Sequence, residues 1–203
     1  TNLVAVTDLK NNINTDFIED YPEVIFYDNY LAMIKSSRLE FVSICSPTPT
    51  HLEVVSNIAS IDSIKGIFLE KPVGKNYEDS LEISQICQEN NIVLISNYMR
   101  RWDYKYNHIE EVISNNSLGK LQTIIASGNT SLLTSACHLI DLMLMYGKDE
   151  DWVVGDLQQD YIRNVDGIQD HGGSAMIKFK SGVCGFLRAV SKTEKNLMFS
   201  IDL

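Results

Sequence analysis

Short apolar, β-branched runs alternate with helix-spaced apolar positions through the first hundred residues of the chain. Strands are predicted at residues 3–6, 24–27, 41–45, 66–69 and 92–95, with helical spacing around residues 31–34, 52–59 and 77–88. Strands that alternate with helices form βαβ units, so this part of the chain predicts an α/β domain with a mainly parallel sheet.

The pattern changes after about residue 102. A helix at 104–114, a strand at 121–127 and a helix at 136–147 precede four strand-like runs, at residues 152–161, 174–179, 183–190 and 197–203. Consecutive strands without helices between them favour an antiparallel sheet. We therefore predict an α/β domain over residues 1–100 and an α+β domain over residues 101–203.

One face of the second sheet is expected to be covered by the apolar helix around residues 138–146, and the other to stay uncovered. Val183, Phe186 and Leu187 are apolar residues of one of its strands. A large apolar sheet face is seldom left in water, so the sheet is predicted to form a subunit interface.

Composition and charge exclude several classes of function. The 203 residues are 44% hydrophobic and carry a formal net charge of -10, with no basic block, which argues against nucleic-acid and anionic-membrane partners. No apolar run approaches the roughly 20 residues of a membrane span. The widely spaced cysteines predict no metal site and no redox motif, and free thiols fit a cytoplasmic protein; they are Cys45, Cys87, Cys137 and Cys184.

Asp8 follows the first strand-like run, "LVAVTD". In dinucleotide-binding folds an acid at such a strand end binds the adenosine ribose hydroxyls and disfavours a 2′-phosphate, although aspartate also commonly begins turns. The glycine-rich turn of such folds is not found in the sequence and is expected upstream of Thr1, so the chain is interpreted as a fragment incomplete at both ends.

The segment "SPTPTH", residues 46–51, follows a buried strand and opens a helix. Its Thr-Pro pair suits an N-cap followed by proline in the first turn. Small and hydroxyl-bearing residues at such an edge can line a cofactor, and helix N-termini favour anions. His51, taken alone, is interpreted as a surface residue.

The segment "FLEKPVG", residues 68–74, ends another strand with an acid, a base and a proline. Alternation directs Glu70 and Lys71 to opposite sides, at the edge where open α/β sheets bind ligands. A lysine beside a positively charged nicotinamide ring has its ammonium form disfavoured, which helps it accept a proton. The alternative is a solvated strand end.

Two further segments carry candidate polar groups. In "NYMRRWDYKY" the adjacent Arg100 and Arg101 cannot both face one site, so one of them bridges the domains, holds a carboxylate or phosphate, or forms a surface salt bridge. In "ACHLIDLMLMYG", His138 and Asp141 lie three residues apart on one face of an apolar helix. They are either a buried pair whose polar groups are hydrogen-bonded within the core or residues of a functional site.

Together these motifs, with "LGKL" at residues 118–121, resemble the glucose-fructose oxidoreductase, inositol dehydrogenase and rhizopine catabolism (Gfo/Idh/MocA) family, in its order and across nearly the whole chain. The resemblance implies a Rossmann domain that binds NAD or NADP, and hydride transfer at a sugar or polyol carbon. It also implies an open antiparallel sheet that supports a homodimer or homotetramer, and a cis Lys71–Pro72 bond. Lys71 and His138 are then the catalytic residues, and the expected cofactor contacts are Asp8, Ser46, Pro47, Thr48, His51, Glu70, Lys71 and Arg101.

One position departs from the family. Many members carry an aspartate four residues before the histidine, where this chain has Thr134. Threonine cannot accept a proton at neutral pH, which leaves Lys71 or His138 to transfer it. The departure keeps open a non-catalytic, dinucleotide-binding regulator on the same scaffold. A flavodoxin-like partner module does not explain the "EKP" and "HLID" segments.

Overall fold

The computed structural model describes residues 2–8, 15–148, 152–190 and 199–203. The chain divides into two compact units, Thr1–Ser96 and Asn97–Leu203. Within the described ranges, no helix has the length and apolar character needed to cross a membrane.

The first unit is an α/β unit in which every strand pairing is parallel. Its strands are β1 (Ala5–Thr7), β2 (Ile25–Tyr27), β3 (Phe41–Ile44), β4 (Gly66–Leu69) and β5 (Val93–Ser96), and its helices are α1 (Thr15–Asp20), α2 (Tyr30–Ser37), α3 (His51–Ala59) and α4 (Tyr77–Glu89). β1 pairs with β2, and β3, β4 and β5 form a sheet in that order. The predicted parallel α/β fold is confirmed.

Side-chain caps and apolar packing fix these helices. Asn29 accepts hydrogen bonds from Leu31 and Ala32 at the start of α2, and Asn76 accepts one from Asp79 at the start of α4, which satisfies backbone donors that helix starts leave free. The helices bury their apolar faces against the sheet, with the core formed by Val55, Ile58, Ile67, Leu69 and Ile83 among others. α1, of six residues, was not predicted.

The second unit combines helices with one five-stranded sheet. Its elements are α5 (Tyr104–Ser114), β6 (Thr123–Gly128), a π-helix (Leu132–Ala136), α6 (Cys137–Gly147), β7 (Trp152–Val165), β8 (Ile168–Phe179), β9 (Cys184–Ala189) and β10 (Phe199–Asp202). The strand order is β10-β6-β9-β8-β7, and all pairs are antiparallel except β6 with β9. The predicted α+β unit with a mainly antiparallel sheet is confirmed.

The two faces of this sheet differ in burial. α6 packs on one face, where Leu139, Leu142 and Met143 join Leu187 in the core. Phe186 is 43% exposed, whereas Val183 and Leu187 are buried. Of these three apolar residues, Leu187 and Val183 therefore pack in the core with α6 and Phe186 lies on the other face, because side chains alternate along a strand.

Candidate functional site

The loops after β3 and β4 lie side by side in the first unit. Ile44 is paired with Leu69 at the ends of these parallel strands, and the Glu70 amide donates to the Ile44 carbonyl at 2.9 Å. The register therefore places Ser46 and Lys71 on neighbouring loops at the carboxyl edge of the sheet, where ligands of open α/β sheets bind. Asp8 follows β1 and is exposed.

The backbone around Lys71 is closely fixed. The Lys71–Pro72 peptide bond is cis, as the family resemblance implied, and the Lys71 amide donates to Glu70 Oε2 at 3.2 Å. A Cβ at Gly74 would lie 2.7 Å from Asp79 Cβ and 2.8 Å from the Ser80 nitrogen, so the loop rests directly on the first turn of α4. Glycine is needed there for this close approach.

His51 connects the two loops. Its side chain is fully buried, Nε2 lies 2.9 Å from the Ser46 carbonyl oxygen, and Nδ1 lies 3.1 Å from the Val73 carbonyl oxygen. The interpretation of His51 as a surface residue is therefore wrong. The imidazole joins the loop that carries Ser46 to the loop that carries Lys71.

The turn between Ser46 and α3 is held by hydroxyl groups. Ser46 Oγ lies 2.7 Å from Thr50 Oγ1, and Thr50 Oγ1 donates to the Pro47 carbonyl at 2.8 Å. A 3₁₀ helix, Thr48–Thr50, precedes α3, and Pro47 occupies its N-cap position without a side-chain cap. Thr50 occupies the N-cap position of α3, also without a side-chain cap hydrogen bond, so the expected cap by Thr48 is wrong, although Pro49 does lie in the first turn of the 3₁₀ helix.

In the second unit, Arg101 binds a carboxylate of its own chain. Its Nε donates to Asp141 Oδ1 at 2.8 Å and to Oδ2 at 2.9 Å, and Nη2 donates to the Asp141 carbonyl at 3.3 Å. Burial raises the pKa of the Asp141 carboxyl, and the Arg101 guanidinium partly offsets this rise. The pair joins the 3₁₀ helix Met99–Trp102 to α6.

His138 lies in the first turn of α6 and is buried. The Tyr98 ring packs edge-on against its imidazole, with the ring centroids 5.9 Å apart and the planes at 87°. Burial raises the pKa of the Tyr98 phenol above its ordinary value, and Cys137 and Asp141 add to the rise. Tyr98 thus keeps its hydroxyl proton in the neutral range and presents an uncharged wall to His138.

Thr134 lies in the π-helix before α6 and is bound to polar side chains from β7 and β8. Its hydroxyl donates to Asp170 Oδ2 at 2.6 Å and accepts from Arg163 Nη2 at 3.1 Å. Sequence reasoning missed Tyr98, Arg163 and Asp170. Asp170 lies outside the predicted strand at residues 174–179, and only the longer β8 of the structure includes it.

Residues 1–98 match the family model described as "Oxidoreductase family, NAD-binding Rossmann fold". Over 118 residues, 58% of this chain and 35% of the relative, the sequence is 26% identical to "Myo-inositol 2-dehydrogenase" of Thermotoga maritima. The matched stretch thus spans about a third of that relative.

Solved structures share the fold over nearly the whole chain. A myo-inositol 2-dehydrogenase from Lactobacillus plantarum aligns with a TM-score of 0.75 at 21% identity, covering 98% of this chain and 65% of that one. An oxidoreductase from Agrobacterium radiobacter, in complex with NAD⁺, L-tartaric acid and magnesium, aligns with a TM-score of 0.79 at 14% identity, covering 98% and 64%. At these identities the likeness concerns the fold.

Proposed function

Because residues 1–98 place this chain in the Gfo/Idh/MocA oxidoreductase family, we propose that it transfers a hydride between NAD and a hydroxyl-bearing or keto carbon of a sugar, polyol or sugar derivative. The observation that carries the proposal is the fixed position of Lys71, beyond β4 at the carboxyl edge of a parallel sheet. The alternative, in which Lys71 is only a solvated strand end, does not explain why the buried His51 joins its loop to the loop of Ser46.

The residues of the first unit suit a dinucleotide. An exposed carboxylate, Asp8, follows β1 and matches the acceptor that binds ribose hydroxyls. The Ser46–Thr48 turn leads into the N-terminus of α3, where backbone N–H groups favour phosphate. We assign Asp8 and the loops of Ser46, Pro47, Thr48, Glu70 and Lys71 to cofactor binding, with His51 acting through the loops and Arg101 kept as a candidate.

The proposed chemistry needs a proton acceptor beside the reacting hydroxyl. NAD, when bound, supplies the acceptor for the hydride. The Lys71 amine takes the hydroxyl proton during oxidation and returns it during reduction. His138 is the second catalytic residue that the family resemblance implies; it belongs to the second unit, where the Tyr98 ring lies edge-on against its imidazole.

Turnover tests the proposal and separates it from the non-catalytic regulator. The full-length protein is incubated with NAD⁺ and myo-inositol, scyllo-inositol or simple aldoses, and with NADH and keto-sugars, while absorbance at the NADH band is followed. Turnover with any of them supports the enzyme. Tight NAD binding by calorimetry with no turnover across the panel supports the regulator.

The free thiols of the four cysteines suit the reducing cytoplasm in which we place the protein.

Asp8 should make the protein prefer NAD to NADP, because its carboxylate binds ribose hydroxyls and repels a 2′-phosphate. Asp8→Ser should reduce this preference by about tenfold, the lower end for a hydrogen bond to a charged group, since Asp8 is exposed. Calorimetric titrations of both cofactors measure it. Asp28→Ser, at another loop of the first unit, is the control. Equal affinity of the unaltered protein for the two cofactors would contradict the prediction.

We also propose that the uncovered face of the second sheet binds a second copy of the chain. Ile125 and Met176 lie directly opposite Phe186 on the strands to either side of β9, and all three are between 43% and 49% exposed. They border a groove of about 430 Å³ that also contacts Arg188. Such an apolar row across three strands is typical of an interface.

Phe186→Glu should convert the associated protein into a monomer. A glutamate in the middle of an apolar interface loses its hydration without gaining a partner, which costs several kcal/mol. Sedimentation at micromolar concentration measures the change. Tyr77→Glu is the control. It alters an exposed aromatic residue of the first unit, on α4, and should leave the sedimenting mass unchanged. A strictly monomeric unaltered protein would reject the interface.

A further inference from the structure

A buried carboxylate, Asp170 of β8, lies at the beginning of the π-helix. The side chain is fully buried. It accepts hydrogen bonds from Ser131 Oγ at 2.6 Å, from the Leu133 amide at 2.8 Å, and from the amide and hydroxyl of Thr134 at 3.0 and 2.6 Å. Four donors thus converge on one carboxylate, and Arg163 Nη2 lies 3.9 Å from Oδ2.

Asp170 replaces the cap that the helix start lacks. Ser131 occupies the N-cap position of the π-helix but makes no side-chain cap hydrogen bond, because its hydroxyl points to Asp170 instead. The first backbone donors of a helix have no partner within the helix. Here a carboxylate from a strand 36 to 37 residues away in sequence satisfies two of them.

The anchored turn leads directly to His138. The Ala136 amide donates to the Ser131 carbonyl at 2.9 Å and closes the wide turn, and α6 begins at the next residue, Cys137. His138 therefore follows Thr134, which Asp170 holds, by one turn of helix. π-helical turns occur preferentially at functional sites, and this one fixes where the first turn of α6 begins.

The same contacts define the role of Thr134. Its single hydroxyl proton is donated to Asp170 and one of its lone pairs accepts from Arg163. The Thr134 hydroxyl is therefore occupied by Asp170 and Arg163, and it does not donate its proton to a substrate oxygen.

We infer that Asp170 is a positioning residue for His138: through the Ser131 and Thr134 contacts it sets the start of α6 and thereby the orientation of the imidazole against Tyr98. The inference rests on the proposed function for its kinetic consequence. Its structural consequence can be measured without turnover. Lys71 and the cofactor-binding loops belong to the other unit.

Histidine NMR tests the inference, because the chain has only four histidines. The full-length protein is labelled with ¹³C at histidine Cε1, and His138→Gln assigns the His138 signal. Asp170→Asn should move that signal by more than its linewidth, since the Tyr98 ring lies 5.9 Å away and edge-on. The signals of His51 and His108 should not move, and Asp160→Asn, an exposed change on β7, should move none of the four.

Kinetics supply the second measurement, with NAD⁺ and whichever polyol the unaltered protein oxidises. A misplaced catalytic group can cost about 10²-fold, so Asp170→Asn should lower kcat by about that factor and leave the KM for NAD⁺ unchanged. If the protein shows no turnover, the proposed function fails while the NMR result still decides the positioning role.

Thr134→Val covers the case in which Asp170→Asn does not fold. Valine keeps the shape and the backbone donor but removes the hydroxyl, so the His138 signal should move in the same direction by a smaller amount. A His138 signal that coincides with that of the unaltered protein, in whichever of the two variants folds, overturns the inference.

Discussion

Replacing Lys71 by alanine should lower the catalytic rate of the full-length protein by about 10²–10⁴-fold, the usual range for a general acid–base group. Dinucleotide affinity should stay largely intact, because the loop backbone is held by His51 and by the contact of Gly74 with α4. Thr134 cannot take over the proton transfer, because its hydroxyl donates its proton to Asp170 and accepts none at neutral pH.

Two further variants test whether the loss of activity comes from the Lys71 amine. Lys71→Met keeps the aliphatic stem and should lose as much activity as Lys71→Ala. Lys75→Ala removes a lysine four residues later, where it pairs with Asp79 at 3.3 Å on the surface, and should keep full turnover. Steady-state rates and NAD titrations measure all three. If Lys71→Ala retained more than about a tenth of the activity, Lys71 would be a structural strand end.

The strand ends of the first unit were predictable because each coincides with a local signal. The strands predicted at residues 41–45 and 66–69 precede Ser46-Pro47 and Glu70-Lys71-Pro72, and the structure ends β3 at Ile44 and β4 at Leu69. Proline has no backbone donor, so it marks the end of a ladder irrespective of tertiary context. Such signals place polar residues at a sheet edge without knowledge of the fold.

The hairpin of the second unit was predicted too short for a local reason. β7 was expected to end at residue 161 and β8 to begin at residue 174, whereas β7 reaches Val165 and β8 starts at Ile168. Asp166 and Gly167 have φ values of 51° and 85°, the conformation of a two-residue turn, and an Asp-Gly pair between apolar positions is its sequence signal. This pair in the sequence is consistent with strands that extend to the turn on both sides.

Contacts of long sequence separation could not be read from the sequence. His51 meets the Val73 carbonyl 22 residues away, and Asp170 meets Ser131 39 residues away. Local patterns report the period of burial along an element but do not identify the partner across the core. A lone histidine in the first turn of a helix therefore predicts a surface residue, and the local pattern assigns no role to Asp170.

Replacing Arg101 by methionine should destabilise the protein at neutral pH by about 2 kcal/mol. Breaking a buried ion pair by removing one partner costs about 3–5 kcal/mol, and the value here is lower because the Arg101 side chain is 43% exposed. Asp141 is only 11% exposed, so its carboxylate would be left with little water and without its guanidinium partner. Urea unfolding of the variant and the unaltered protein measures the difference.

The loss should shrink as the pH falls, because burial already raises the pKa of Asp141 and Arg101 is the group that opposes the rise. Without Arg101 the folded pKa rises further above the unfolded value of about 4. The folded state then binds more protons than the unfolded state, so the stability of the variant decreases as pH rises through that interval. The destabilisation is full above the raised pKa and largely absent below about pH 4, where Asp141 is protonated in both states.

The double variant Arg101→Met/Asp141→Asn is the matched control, because an amide has no charge to titrate and should remove the pH dependence of the loss. Urea unfolding at neutral pH and at a pH below about 4, where Asp141 is protonated in both states, compares the three proteins. An equal loss for Arg101→Met at both pH values would contradict the account. A loss confined to the higher pH would identify the Asp141 charge as its cause, since the packing change from arginine to methionine is the same at both.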